Sequence, residues 1–322
     1  MAKRRMARKP ARKIISTVPP RRTCGAMAVH NRLLEAHPQF RVAQGLLEHA
    51  TLQRMTAAFR SELPLPVTIP TVVHVVYSSA AENVSEAQIN SEIISLNKDY
   101  GAKNPDKSKT PAVWAGLVTD TGIQFALAKR DPNGNPTNGI TRTRTTKTSF
   151  PDDDSVKSTA QGGADPWPSD KYLNLWVCAL GNGLLGYAQF PGGPLATDGV
   201  VILNAAFGNT GTATAPYNLG RTATHEIGHW LNLRHIWGDT EDCSGTDFVD
   251  DTPNAQHPNF GKPTFPHISC TNGPNGDMFM NYMDYVDDAA MFMFTAGQVV
   301  RMHATLAGPR APLVANAQNL VS

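Results

Sequence analysis

Two histidines and a glutamate in the second half of the 322-residue sequence have the types and spacing of a hydrolytic metal site. His225 and His229 are four residues apart, so on a helix their imidazoles lie one turn apart on the same face and can reach one metal ion. Glu226 would lie beside the open coordination position, where a carboxylate can act as a general base. This pattern predicts a zinc-binding helix that activates water.

His235 is the candidate third ligand. On a continuous helix its side chain would point about 120° away from that of His229, because each residue advances about 100°. The helix must therefore end near Leu231 and turn at Asn232, a residue type that tolerates left-handed backbone well. A structural pair of histidines is the alternative, but that interpretation leaves Glu226 and His235 without a role.

This segment resembles the extended zinc-binding motif of the metzincin metalloproteases, which usually has glycine where Asn232 stands. Met-Asn-Tyr-Met-Asp-Tyr at residues 280–285 lies where a metzincin has its Met-turn. The resemblance implies that Met283 forms the hydrophobic floor below the metal and that Tyr285 polarises the substrate carbonyl. Packing of both side chains in the core is the alternative.

Charge is distributed unevenly along the chain. Residues 1–60 contain 13 Lys and Arg and 2 Asp and Glu, whereas residues 61–322 contain 16 and 25. A basic arm can bind nucleic acid or an anionic surface, but the acidic remainder argues against a nucleic-acid partner. A basic arm that complements an acidic body also suits an intramolecular inhibitor.

Cys24 lies in the basic arm, in Arg-Arg-Thr-Cys-Gly at residues 21–25. A thiolate from such a segment can fill the fourth zinc position and exclude water, although a lone cysteine beside arginines is more often inert. The segment is similar to the prosegments of ulilysin-like proteases in the pappalysin family. The resemblance implies a prosegment with a cysteine switch at residues 1–60 and a catalytic domain at residues 61–322.

Hydrophobic patterns indicate the elements that must position these residues. Strands alternate with a helix that is capped near Ser85, as at the start of an α/β layer domain. The predicted strands are residues 68–77, 123–129, 171–180, 186–193 and 199–203. The predicted helices besides the zinc helix are residues 84–100 and 295–306, together with short helices in the N-terminal segment that contains Leu33, Leu34, Leu46, Leu47 and Met55.

The metzincin resemblance arranges these elements as an α/β (α+β) zincin. It implies a twisted, mostly parallel sheet with an antiparallel edge strand and the zinc helix, forming an upper subdomain at residues 61–235. An irregular lower subdomain at residues 236–322 would contain the Met-turn and a C-terminal helix. The edge strand, with Gly186, Tyr187 and Ala188, would bind an extended substrate through backbone hydrogen bonds.

An acidic loop follows the third histidine, with six carboxylate residues between positions 239 and 251. Carboxylates among Gly, Thr and Pro suit a hard cation, and solvated surface charge is the alternative. Pappalysin-family catalytic domains bind calcium in this region. The resemblance therefore implies a structural Ca²⁺ with Asp250, Asp251 and Thr252 as ligands.

The four cysteines indicate one disulfide. Cys178 lies within a predicted strand and is expected to be buried and free. Cys243 and Cys270 flank the acidic loop and are the expected pair, while a second bridge of many relatives would need a cysteine at Ala290. A disulfide favours a secreted or extracytoplasmic location, although residues 1–20 contain no convincing secretory signal.

These features predict a latent zinc endopeptidase with one Zn²⁺. Zinc held by three neutral histidines would lower the pKa of its water, Glu226 would move the proton of that water to the leaving amine, and Tyr285 would help to hold the oxyanion. Its partners would be protein or peptide substrates and its own prosegment. A catalytically silent zincin-fold binding protein is the alternative, but it would be expected to lose Glu226 or a ligand. No apolar run approaches the length of a membrane span.

Two acidic residues suggest a specificity. Asp287 and Asp288 follow the Met-turn, in the segment that in metzincins forms the pocket for the residue after the scissile bond. A carboxylate there favours Arg or Lys, and the resemblance to ulilysin-like enzymes implies the same preference. The sequence does not choose between the two aspartates. The same preference would permit autolytic maturation between Phe59 and Arg60.

Overall fold

The computed structural model describes residues 18–56 and 63–322. Most of the segment considered as an export signal, and the expected cleavage position between Phe59 and Arg60, lie outside the described residues. Within the described part of the chain, no helix is long and apolar enough to cross a lipid bilayer.

Helices and strands alternate through most of the described chain. The α-helices are α1 (Ala26–Ala36), α2 (Pro38–Thr56), α3 (Glu86–Tyr100), α4 (Arg221–Trp230), α5 (Ala296–Ala307) and α6 (Ala311–Val321). The strands are β1 (Val67–Tyr77), β2 (Ile123–Leu127), β3 (Ile140–Arg144), β4 (Leu173–Cys178), β5 (Gly186–Ala188) and β6 (Val200–Leu203). The strand predicted at residues 186–193 is therefore real but shorter than expected.

The strands of the described residues form one six-stranded sheet in the order β2, β1, β4, β6, β5, with β3 also paired to β1. The length of β1 allows it to pair with β2 along its first half and with β3 along its second half. All pairs are parallel except β5 with β6, which is antiparallel. The predicted fold class, a mostly parallel sheet with an antiparallel edge strand, is confirmed.

The central strands are covered on both faces, as continuous apolar sequences in parallel sheets require. Every residue of β4 and β6 is buried. Helix α3 covers one face through the fully buried Ile89 and Leu96, and Ser85 caps its N-terminus as predicted. Helix α4 lies against α3, β5 and β6, so the zinc helix is supported by the sheet.

Two elements were not predicted from the sequence. Strand β3 is polar and has no fully buried residue, and it is held by its backbone pairing with β1. Helix α6 packs against β1, and the residue before it, Arg310, forms a buried ion pair with Asp198 (2.6 Å) and lies 3.6 Å from the ring of Trp230. Both β3 and α6 pack against β1, which is distant from each of them in sequence. Local sequence patterns therefore did not indicate either element.

The chain between α4 and α5 is irregular and is stabilised by side-chain contacts. A disulfide joins Cys243 to Cys270, as predicted, with their Cα atoms 5.9 Å apart, and Cys178 is buried and free. The buried carboxylate of Asp284 accepts hydrogen bonds from the backbone N–H of Asn259 (2.8 Å) and from that of Tyr285 (2.7 Å). These contacts fix the backbone that leads through the Met-turn.

Candidate active site

Helix α4 places His225 and His229 on one buried face, and its end is built for a turn. Asn232 has φ of 73°, the left-handed conformation that was predicted. The backbone N–H of Leu233 donates back to the carbonyl of Gly228 (2.9 Å), which closes the helix. The chain then reverses and brings His235 beside the helical pair.

The three imidazoles fit one tetrahedral zinc ion. His229 Nε2 lies 3.2 Å from His225 Nε2 and 3.0 Å from His235 Nε2. Nitrogen ligands about 2.0–2.1 Å from one tetrahedral zinc lie about 3.3 Å apart. Cys24 Sγ completes a set of four donor atoms that all lie within 4.8 Å of one another. The mixture of nitrogen and sulfur donors is one that zinc accepts.

Each imidazole is oriented through its other nitrogen, as metal-binding histidines usually are. A hydrogen bond at Nδ1 leaves the Nε2 lone pair free to face the metal, and burial lowers the pKa of His225 and of His229, which favours the neutral, ligating form. The acceptors are Tyr282 O, 2.7 Å from His225 Nδ1, Leu233 O, 2.8 Å from His229 Nδ1, and Asp239 Oδ1, 2.6 Å from His235 Nδ1. Sequence reasoning placed Asp239 in the acidic loop and missed this role, although its position four residues after His235 was a usable signal.

Glu226 is buried beside the fourth donor. The Cys24 thiol donates to Glu226 Oε2 (3.2 Å), so the carboxylate can contact whatever group occupies that position. Burial raises the pKa of Glu226 to about 8, while the hydrogen bond from Cys24 and the charge of Arg22 lower it. Gly186 makes room for this side chain, because a Cβ there would lie 2.8 Å from Glu226 Cγ.

Met283 and Tyr285 approach the metal site from below and from the side. A Cβ at Gly228 would lie 2.5 Å from Met283 Sδ, so glycine in the zinc helix allows the Met-turn to pack directly beneath it. The Tyr285 ring lies 4.9 Å from the ring of His235, and its hydroxyl accepts from the Cys24 N–H (3.3 Å). Tyr285 therefore lies where a hydroxyl can reach a group near the fourth position.

Residues around Cys24 extend the sheet at β5. The Leu185 N–H donates to Thr23 O (3.0 Å) and the Gly25 N–H donates to Gly186 O (2.9 Å), and Cys24 pairs with Gly186 in parallel. Gly186, Tyr187 and Ala188 are all buried in this arrangement. The N-terminal segment thus occupies the edge at which substrate binding was predicted.

Arg22 fills a pocket beside the metal site, and Asp288 forms its base. The ion pair between Arg22 Nη2 and Asp288 Oδ1 is 2.6 Å long, and both side chains are almost fully buried. Arg22 also donates to Val286 O (3.1 Å) and lies 5.1 Å from the ring of Tyr217. Asp287 is half-buried and outside this contact. Sequence reasoning placed Arg22 in the basic arm and in the prosegment motif around Cys24, and assigned it no partner.

The three residues expected to bind calcium differ in their surroundings. Asp250 is exposed, and Asp251 accepts from Thr295 Oγ1 (2.6 Å) at the start of α5. Thr252 Oγ1 donates to Asp247 Oδ2 (2.7 Å) and to a backbone carbonyl. Asp251 and Thr252 thus contact different partners, and Asp247, which was not among the predicted ligands, lies next to Thr252.

Known proteins resemble this chain over most of its length. The profile of the M43 peptidase family, described as pregnancy-associated plasma protein-A, matches residues 157–307. The extracellular metalloprotease of Pyricularia oryzae is 33% identical over 297 residues, which cover 89% of each chain, and extracellular metalloprotease 1 of Coccidioides posadasii is 31% identical over 296 residues, 88% of each.

Solved structures of mirolysin share the fold. A promirolysin mutant from Tannerella forsythia has 46% identity and a TM-score of 0.84, covering 94% of this chain and 100% of that one. Mature mirolysin in complex with a cleaved peptide has 52% identity and a TM-score of 0.78, covering 80% and 98%. The chain therefore belongs to the pappalysin family and is a metzincin-type zinc metalloendopeptidase.

Proposed function

We propose that this chain is the latent form of a secreted zinc endopeptidase. Residues 1–60 are the inhibitory prosegment, and residues 61–322 are the catalytic domain, with an upper subdomain to residue 235 and a lower subdomain from residue 236. The convergence of Cys24 Sγ with three imidazole nitrogens carries this proposal.

Two comparisons support this assignment. The match to promirolysin extends over more of the chain than the match to mature mirolysin, as expected if the N-terminal segment is absent from the mature enzyme. The fungal relatives are named extracellular metalloproteases, which agrees with a secreted or extracytoplasmic location and with the disulfide.

The catalytic domain contains a residue for each step of peptide hydrolysis. His225, His229 and His235 would hold a zinc ion, which would supply Lewis acidity and lower the pKa of a neighbouring water. Glu226 Oε2 takes the proton of the attacking water and returns it to the leaving amine. The Tyr285 hydroxyl donates a hydrogen bond to the oxyanion, in the position where it now contacts Cys24.

Strand β5 and the Asp288 pocket position the substrate. An extended peptide adds to the free edge of β5 by backbone hydrogen bonds, once the segment around Cys24 has left. The residue after the scissile bond enters the pocket that now holds Arg22. Because Asp288 is buried at its base, an Arg or Lys forms a charge-assisted pair there, whereas a neutral side chain leaves the carboxylate with backbone N–H donors but no cationic partner.

This specificity accounts for maturation by autolysis. Cleavage before Arg60 separates the basic prosegment from the catalytic domain at a bond of the preferred type. The prosegment resists being cut at Cys24 because it pairs with β5 in parallel, whereas β5 and a substrate are expected to be antiparallel.

Replacing Cys24 with Ala tests the latent zinc endopeptidase directly. We expect the purified, uncleaved variant to bind one zinc and to hydrolyse an arginine-containing peptide at least about tenfold faster than the uncleaved parent, since the fourth position opens to water. Zinc content and initial rates before maturation measure this. Cys178→Ala, at the other free cysteine, is the matched control and should stay latent.

An uncleaved Cys24→Ala protein as inactive as its parent would show that the thiol is not required for latency, and that occupancy of β5 and of the Asp288 pocket by the prosegment maintains it. Absence of zinc from both proteins would contradict the proposed chemistry itself.

We also propose a structural Ca²⁺ in the acidic loop. Asp247 Oδ2, Thr252 Oγ1 and Val249 O are neighbouring oxygen atoms, and Asp250 and Asp251 flank them along the chain. The loop lies between His235 and the Met-turn in the sequence, so a cation there would stabilise the chain that connects these two parts of the active site. These oxygen ligands are of the type that calcium prefers.

Calcium removal should lower stability and activity together. With a calcium-selective chelator that leaves zinc in place, we expect the melting temperature to fall by roughly 5 °C, which corresponds to losing a ligand present well above its Kd. Thermal unfolding monitored with parallel zinc analysis measures this. An unchanged melting temperature would instead favour solvated surface charge.

A further inference from the structure

Helix α2 inserts one carboxylate into a site built by the catalytic domain. Glu48 accepts two parallel hydrogen bonds from Arg301, at 2.7 and 2.9 Å, and one from Asn232 Nδ2 at 3.1 Å. The Arg301 side chain is only 1% exposed. A bidentate pair of this kind is geometrically specific for a carboxylate.

The receiving site is organised without help from α2. Arg301 Nε and Nη2 also donate to the carbonyl of Asn232, at 3.2 and 3.1 Å, which fixes the guanidinium on the turn of the zinc motif. The guanidinium of Arg234 lies 5.0 Å from the ring of Phe248, and that of Arg301 lies 5.8 Å from the same ring. We call these four residues, Asn232, Arg234, Phe248 and Arg301, the anion cradle.

The cradle has an excess of positive charge that Glu48 offsets. Arg234 lies close enough to Glu48, Arg301 and Asp239 for their charges to act on it. Arg234 Nε has no hydrogen-bond acceptor among the residues that the structure describes. Asp247 also lies near Arg301, but its oxygens already accept from Val249 N and Thr252 Oγ1. Departure of α2 therefore leaves Arg301 without its bidentate carboxylate partner and Arg234 without the nearby charge of Glu48, while the charge of Asp239 remains near Arg234.

The N-terminal segment reaches the Asp288 pocket before Cys24 and the cradle after it. Arg22 precedes Cys24 and enters the Asp288 pocket. After Cys24 the chain passes the residues that follow β5. The His30 ring lies 4.7 Å from that of Phe190, and Gln44 of α2 contacts the backbone of Pro191. Glu48 follows on the same helix.

A substrate bound antiparallel to β5 would connect the two sites. If the substrate residue after the scissile bond enters the Asp288 pocket, the residues before that bond run past Phe190 toward the surface that α2 now covers. A cavity of about 270 Å³ beside Glu48 is lined on the catalytic side by Arg234, Phe248 and Arg301. The other lining residues belong to α2, so its removal opens this side of the cavity and leaves Arg234, Phe248 and Arg301 on the catalytic domain.

We propose that in the mature enzyme the anion cradle binds the side-chain carboxylate of a substrate Asp or Glu that precedes the scissile bond. The inference rests on the proposed function, because it requires α1 and α2 to leave. The preferred substrate then has an acidic residue before the cleaved bond and a basic residue directly after it. Glu48 of the prosegment occupies the cradle as such a residue would.

Paired peptides test this. Each pair contains the same bond before Arg and differs only by Glu or Gln at one position, and the pairs scan the positions that precede the bond. We expect the mature enzyme to cleave the Glu peptide about tenfold better in kcat/KM at one position, with the advantage falling as salt is added. In Arg234→Gln the ratio should fall towards one. Arg130→Gln, the same change at an exposed arginine, should retain it.

A Glu-to-Gln ratio near one at every position, with the Gln peptides still cleaved before Arg, would overturn the cradle and leave the proposed function standing. A ratio that Arg234→Gln does not change would overturn it as well. If Arg234→Gln does not fold, Arg301→Lys, which keeps the charge and loses the bidentate pair, should reduce the ratio. Failure to cleave any peptide would reject the proposed function together with the cradle.

Discussion

Glu226→Ala is expected to bind zinc normally and to lose at least about 100-fold in kcat. In the described structure Glu226 is the carboxylate that contacts the fourth donor, Cys24 Sγ, so its removal takes away the general base. The three imidazoles do not depend on Glu226 for their orientation, since each is held by its own Nδ1 hydrogen bond. Metal analysis and peptide hydrolysis after maturation in trans by another protease measure the two effects separately.

Glu226→Gln is the stricter test of this role. The amide has the same shape and keeps the close packing against Gly186, but it cannot accept a proton from water. It should therefore be nearly as inactive as the alanine variant. Glu241→Gln, the same substitution at an exposed position, should behave as wild type. Turnover near the wild-type value in Glu226→Gln would remove Glu226 from the chemistry and leave zinc binding untouched.

Asp288→Asn is expected to lower the preference for Arg over Leu after the scissile bond by about 100-fold. Truncating one partner of a buried charge pair typically costs about 2–5 kcal/mol, and a factor of 100 corresponds to about 2.7 kcal/mol. The ratio of kcat/KM for matched Arg and Leu peptides measures this. The effect should lie mainly on the arginine peptide, because only that peptide loses the ion pair.

Asp287→Asn is the matched control, since its half-buried side chain lies outside the contact with Arg22. It should retain the preference. If the Asp287 variant lost it and the Asp288 variant kept it, the position of Arg22 in the latent form would not represent that of a substrate side chain. If neither changed it, a basic pocket at this position would be wrong, while the zinc chemistry would be unaffected.

The sequence determined the catalytic core because its signals are local. The four-residue spacing of His225 and His229 becomes a shared helix face by helix geometry alone, and the six-residue step to His235 requires the left-handed turn found at Asn232. The Met-turn and disulfide positions followed from resemblance and from cysteine placement. Continuous apolar runs likewise marked β4 and β6 as buried strands.

Tertiary structure alone decided which partners meet across long stretches of chain. Arg22 selects Asp288 over its neighbour from 266 residues away, and Glu48 reaches Arg301 across 253 residues. No periodicity relates such positions, because their approach depends on how α1, α2 and the lower subdomain pack around the sheet. Polar elements such as β3 have the same origin: their stability comes from a neighbouring backbone, which leaves no pattern in their own side chains.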